Sequence, residues 1–167
     1  MENMQRPSGT GTVQRAVESL NHAAIDTCSL EKSMRFYTEV LGLKEAFRIC
    51  RDDGTPVAVF IILKPGQYVE LCTVNPKGGK MPLRRRIRRK LQSAGGFHFC
   101  LTTTDIRRTR ELIKERGGPV DSEIESRMSG GLKFWTHDPD GTRIEIIELT
   151  PDSMQAGADR SFAENDA

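Results

Sequence analysis

No two cysteines in this chain form a CxxC pair. Cys28, Cys50, Cys72 and Cys100 stand far apart, which argues against a zinc ribbon or a dithiol redox motif. Cys72 and Cys100 lie in apolar, strand-like runs and read as plain core residues. Apolar runs of membrane-spanning length are also missing, as is a positive-then-apolar leader, so the expectation is a cytoplasmic protein with no membrane role. Neither charge sign dominates: the formal net charge is +2 over 167 residues, and charge alone implies no nucleic-acid partner. Histidine is scarce, with three in the chain.

Two of those histidines occupy equivalent places in two half-sequences. His22 and His98 are 76 residues apart, Glu70 and Glu145 are 75 apart, and the glycines Gly42/Gly118 and Gly66/Gly141 keep the same step. Ser29 and Asp105 repeat as helix-capping residues before periodic apolar runs. Such self-similarity implies two copies of one supersecondary unit, each placing one His and one Glu alike. The chain is long enough for one ordinary domain or two small modules sharing a core.

Local patterning fills in each unit. Leu20–Thr27 reads as a strand, followed by a Ser29-capped helix with Leu30, Met34, Tyr37 and Leu41 on one face and a stop at Gly42. Strands Ala46–Cys50, Val57–Leu63 and Gln67–Val74 come next, joined by Asp53-Gly54 and Pro65-Gly66 turns. The second half repeats the order with Phe97–Thr103, an Asp105-capped helix ending at Gly117-Gly118, and strands Leu132–Thr136 and Arg143–Leu149. Between those last strands, Asp138-Pro139-Asp140-Gly141 has the residues of a tight turn. The expected fold is α+β, two βαβββ modules at Ser19–Pro76 and Gly95–Thr150. Residues 77–94 form a basic linker, and the polar ends, 1–18 and 151–167, read as flexible tails.

Period-two alternation puts Glu145 and Glu148 on opposite faces of their strand. The repeat selects Glu145 for an inner site and leaves Glu148 as a solvated charge. Two imidazoles and two carboxylates in one cleft would bind one divalent ion, Zn, Ni, Co, Mn or Fe, and the absence of thiolate favours octahedral geometry with open positions. An ion with an open position acts as a Lewis acid while a carboxylate moves a proton on the neighbouring carbon. His137 falls outside the pattern, and Trp135 reads as packing. The run from Lys77 to Lys90 carries eight basic residues and no acid. It is read as a solvated connector, with a clamp for an anionic substrate group or a partner surface as the sharper readings; no aromatics interleave it as nucleic-acid contact would favour.

Three segments carry a family resemblance: Leu20-Asn21-His22-Ala23-Ala24-Ile25-Asp26, Phe36-Tyr37-Thr38-Glu39-Val40-Leu41-Gly42-Leu43, and Asp138-Pro139-Asp140-Gly141-Thr142-Arg143-Ile144-Glu145-Ile146. Between Leu20 and Leu149 the chain resembles the vicinal oxygen chelate superfamily of glyoxalase I, methylmalonyl-CoA epimerase, extradiol dioxygenases, fosfomycin-resistance enzymes and bleomycin-resistance proteins. The resemblance implies modules that curl their sheets into a cup around a metal held by His22, Glu70, His98 and Glu145. The complete four-ligand set is similar to glyoxalase I, whose last carboxylate is also the proton-transfer base; that residue would be Glu145. A glyoxalase-like lyase or isomerase acting on a small oxygenated substrate is therefore the leading expectation. An extradiol dioxygenase would leave Glu70 without a role; a fosfomycin-type thiol transferase and a drug-binding protein without the metal are further alternatives. The epimerase usually has a His-Pro-Lys type turn where this chain has Asp138-Pro139-Asp140-Gly141. The resemblance also implies a homodimer, and leaves open whether one chain supplies all four ligands.

Overall fold

The computed structural model describes residues 17–74 and 98–165, together with Leu83 and Ile87. The basic side chains between Lys77 and Lys90 lie outside the described residues, as do residues 1–16. The architecture is mixed α+β, with two four-stranded sheets.

The first module contains β1 (His22–Thr27), α1 (Leu30–Arg35), β2 (Lys44–Cys50), β3 (Pro56–Lys64) and β4 (Gln67–Thr73). The second contains β5 (His98–Thr102), α2 (Ile106–Glu115), β6 (Glu125–Ser126), β7 (Leu132–His137) and β8 (Arg143–Glu148). Sheet order is β1-β4-β3-β2 in the first and β5-β8-β7-β6 in the second, so the same topology occurs twice. In each, the first strand runs parallel to the last, and the remaining pairs are antiparallel. A parallel neighbour requires a crossover, which the helix and the two intervening strands provide.

The helices start where the caps predict. Ser29 accepts the Lys32 N–H, and Asp105 accepts that of Arg108 at 2.9 Å. A hydroxyl pair behind each cap ties the end of the first strand to the helix: Thr27 with Ser33 at 2.6 Å, and Thr103 with Thr109 at 2.7 Å. After Arg35 the first helix widens into a π-helical turn, Phe36–Val40, closed by the Leu41 N–H on the Phe36 carbonyl at 2.9 Å. Gly42 then takes φ +74°, a conformation costly for residues with a Cβ. In the second module the left-handed position falls on Gly117, also at φ +74°, rather than on Gly118. Gly118 serves a different need, because a Cβ there would collide with Val40 Cγ1 of the first module.

One core joins the modules. Ile25, Val59, Ile61, Val69 and Leu71 from the first sheet form a cluster with Phe36 and Tyr37, the α2 residues Ile106 and Ile113, and Phe134, Ile144 and Ile146 from the second sheet. Each sheet therefore buries one face in this core and leaves the other open.

The Asp138-Pro139-Asp140-Gly141 turn latches the second module onto the first. Asp138 is fully buried; one carboxylate oxygen accepts the N–H groups of Asp140 and Thr142, and the other accepts the Tyr37 hydroxyl at 3.4 Å. Asp140 accepts the Thr27 hydroxyl at 2.7 Å and the Cys28 N–H at 3.1 Å. Truncating Asp138 removes the acceptor of three donors, two of them in buried contacts. We expect Asp138→Ala to lower the free energy of unfolding by about 3 kcal/mol in urea titrations, and Tyr37→Phe to cost far less.

Two expectations about local structure change. Residues 151–167 lack helical periodicity, yet Met154–Asn165 forms a helix, α3. Buried Ser153 starts it by accepting the Ala156 N–H, and the Met154 N–H bonds the Ser129 carbonyl, so tertiary anchoring replaces the missing apolar stripe. Glu148 is not a solvated charge: it accepts the Ile106 N–H at 2.7 Å and caps the first turn of α2. Among the described residues no helix is long and apolar enough to cross a membrane.

Candidate metal centre

Strand register carries each histidine to its glutamate. In the first sheet Ala24 of β1 lies opposite Glu70 of β4, and Phe60 of β3 lies opposite it on the other side. The second sheet places Cys100 and Trp135 in the same positions about Glu145. Alternation turns Ile25, Val69 and Leu71 inward, so His22 and Glu70 emerge on the open face. His22 Nε2 comes within 3.2 Å of Glu70 Oε2, and His98 Nε2 within 3.5 Å of Glu145 Oε2. The two halves thus build the same pair twice.

The spacing within each pair suits a metal. Two ligand atoms about 2.1 Å from an ion and about ninety degrees apart stand about 3.0 Å from one another. The carboxylates are the more enclosed members, 17% and 13% exposed, while the imidazoles are about 39% and 36% exposed. His22 Nδ1 lies 3.0 Å from Asn21 Oδ1, an acceptor. A proton on Nδ1 would satisfy that contact and would leave Nε2 available to a metal, as second-partner contacts of metal-binding histidines commonly do.

What one chain does not do is bring the pairs together. Among the described residues, no three His, Cys, Asp or Glu side chains gather closely enough to hold an ion. His22 with Glu70, and His98 with Glu145, stand on the open faces of two separate sheets.

Each His–Glu pair has an aromatic wall. Phe60 meets the His22 ring edge-on with centroids 5.6 Å apart, and Trp135 meets His98 likewise at 5.0 Å. Trp135 is thus half-buried beside the candidate ligand. The signal was available, because Phe60 precedes Glu70 by ten residues and Trp135 precedes Glu145 by ten. Phe47 stacks on Phe60 at 4.4 Å and is itself 47% exposed.

Two of the cysteines share the faces of the His–Glu pairs. Cys100 shares the face of His98 and is exposed rather than in the core, and Cys72 shares that of Glu70 and is only partly buried. Apolar neighbours suggested burial, but those neighbours alternate onto the other face. The Cys100 thiol, partly desolvated by the sheet and next to the Glu145 carboxylate that accepts its proton, is pushed up to about 12. It stays neutral at neutral pH. His137, at the end of β7, pairs with Asp121 at 2.8 Å and contacts neither His–Glu pair in the strand register.

A cavity of about 610 Å³ opens at the module junction between Lys32, Arg35, Phe36, Arg116, Pro119 and His137. None of the four candidate ligands lines it.

Duplicated βαβββ modules with curled sheets, each bearing a His–Glu pair on its open face, define the class. Residues 19–146 match the model of the Glyoxalase/Bleomycin resistance protein/Dioxygenase superfamily, and the chain belongs to that family. A probable lactoylglutathione lyase of Synechocystis is 27% identical over 137 residues, covering 78% of this chain and 95% of the relative. The mitochondrial methylmalonyl-CoA epimerase of Dictyostelium discoideum is 28% identical over 134 residues, covering 80% and 78%. Among solved structures, that of UcmS2 superposes with a TM-score of 0.64 at 20% identity, covering 82% of this chain and 99% of the other, which shows the shared fold.

Proposed function

We propose that this protein is a metal-dependent, glyoxalase-like lyase or isomerase that works as a homodimer on a small oxygenated substrate. The observation that carries the reading is the duplicated His–Glu pair, with both pairs at ligand spacing on open sheet faces. Relatives named as a lyase and as an epimerase support lyase or isomerase chemistry.

His22 and Glu70 of one chain, with His98 and Glu145 of another, would hold the divalent ion. When bound, the ion supplies a Lewis acid for a substrate hydroxyl or carbonyl oxygen. Glu145 takes the proton from the carbon next to that oxygen and returns it to the neighbouring carbon. Cys100, protonated and hydrogen-bonded to Glu145, keeps the carboxylate aimed. Phe60 and Trp135 wall the His–Glu pairs with apolar surface, which strengthens charge interactions on the reacting atoms.

Metal analysis of the purified protein followed by a methylglyoxal-plus-thiol assay tests this. We expect one divalent ion per chain, turnover of the adduct, loss of turnover with chelator and recovery on adding metal. Ligand binding indifferent to chelator would instead indicate a binding protein, and oxygen uptake with catechols a dioxygenase.

A further inference from the structure

The repeat reproduces the His–Glu pairs but not their surroundings. In register, Tyr68 corresponds to Arg143, Phe60 to Trp135 and Ala58 to Lys133. The first face is consequently aromatic and apolar, and the second cationic. The Arg143 guanidinium lies over Trp135, 4.0 Å from the ring centre, and Lys133 Nζ lies 5.5 Å from it. Arg143 is the register partner of His98, and Trp135 touches both. Stacking of this kind holds the guanidinium plane while leaving its N–H edge free to donate.

Arg127, just beyond β6, is the second cation. Its N–H bonds the Gly131 carbonyl and Glu125, two residues earlier, lies opposite Lys133, so alternation puts Arg127 on the face of Lys133, Trp135 and Glu145. Its Nη1 is buried and has no hydrogen-bond partner among the described residues. A buried charged donor without an acceptor is a cost that native folds rarely carry unless something else supplies the acceptor. Of the acids on this sheet, Glu145 sits with His98 and Asp121 pairs with His137.

We propose that Arg127 and Arg143 form a clamp that holds an oxyanion group of the substrate, a carboxylate or a phosphate, beside the His98–Glu145 pair. The clamp rests on the metal-centre reading above and narrows its substrate to anionic molecules. Two guanidinium groups present planar N–H forks that match such groups, and Trp135 fixes the angle of one.

The test uses the Co(II)-loaded protein and three hydroxamates: acetohydroxamate, succinate monohydroxamate and phosphonoacetohydroxamate, followed by the visible Co(II) band. At least one of the anionic hydroxamates should bind about tenfold tighter than the neutral one, and which of the two does so identifies the oxyanion. Arg143→Gln and Arg127→Gln should each remove most of that preference and leave acetohydroxamate affinity within about twofold. If Arg127→Gln does not fold, Arg127→Lys paired with Arg143→Gln serves, the lysine keeping charge but losing the fork. Equal binding of all three by the unsubstituted protein, or a preference that survives both replacements, overturns the clamp alone. If no hydroxamate moves the band, the metal reading fails and the clamp falls with it.

Discussion

Glu145→Gln is expected to lower kcat by about 10²- to 10⁴-fold while most of the metal stays bound. Gln keeps the shape of Glu and an amide oxygen for coordination and for the Cys100 thiol. What it loses is basicity: an amide does not accept a proton near neutral pH, so the transfer step has no acceptor. His98 stays in place, because its position comes from the β5–β8 register rather than from the Glu145 charge. KM should change little, since the carboxylate acts on the proton in flight rather than on capture of the substrate. Steady-state kinetics with metal content measured on the same sample checks both parts. Unchanged turnover would remove Glu145 from the base role, and metal and turnover lost in proportion would make it a ligand only.

Much of this site is legible in one dimension because β-structure turns spacing into position. A 75- or 76-residue repeat with the same strand order must give both His–Glu pairs the same register, and both do lie against each other in parallel strand pairs. Turns and caps are local as well, and Ser29, Asp105, Gly66 and Gly141 act where their chemistry predicts. The residues that read wrongly are those whose environment is supplied from elsewhere. Glu148 has the sequence context of a surface charge, but an N–H 42 residues away needs an acceptor there. Cys72 and Cys100 sit among apolar residues, yet period two puts them on the faces of Glu70 and His98; composition was the weaker guide. The two-residue β6 is too short to show any pattern, although Arg127 depends on it for placement. The separation of the two pairs is least visible of all. It depends on how the modules dock, which is decided by contacts such as Tyr37 with Asp138 and Val40 against Gly118, far apart in sequence and silent in periodicity.

That separation leads to the second large effect, which we expect when two inactive variants are combined. His22→Ala and Glu145→Ala should each lose nearly all tightly bound metal as homodimers, whereas the purified heterodimer should regain half the metal of the unsubstituted protein. Each His–Glu pair offers only two candidate ligands, and among the described residues a single chain does not join them into a cluster of three or more. If the ion sits between His22 and Glu70 of one chain and His98 and Glu145 of the next, a homodimer of either variant has a damaged ligand set at both of its sites. In the heterodimer both defects fall in one site, where the first module of the His22→Ala chain meets the second module of the Glu145→Ala chain. The other site combines an unaltered His22–Glu70 pair with an unaltered His98–Glu145 pair and binds metal normally. A four-ligand site built within one chain would leave one defect in each, and mixing would restore nothing. Separate affinity tags on the two variants, co-expression and metal analysis of the doubly tagged fraction distinguish the outcomes, and any activity recovered there comes from the single intact site.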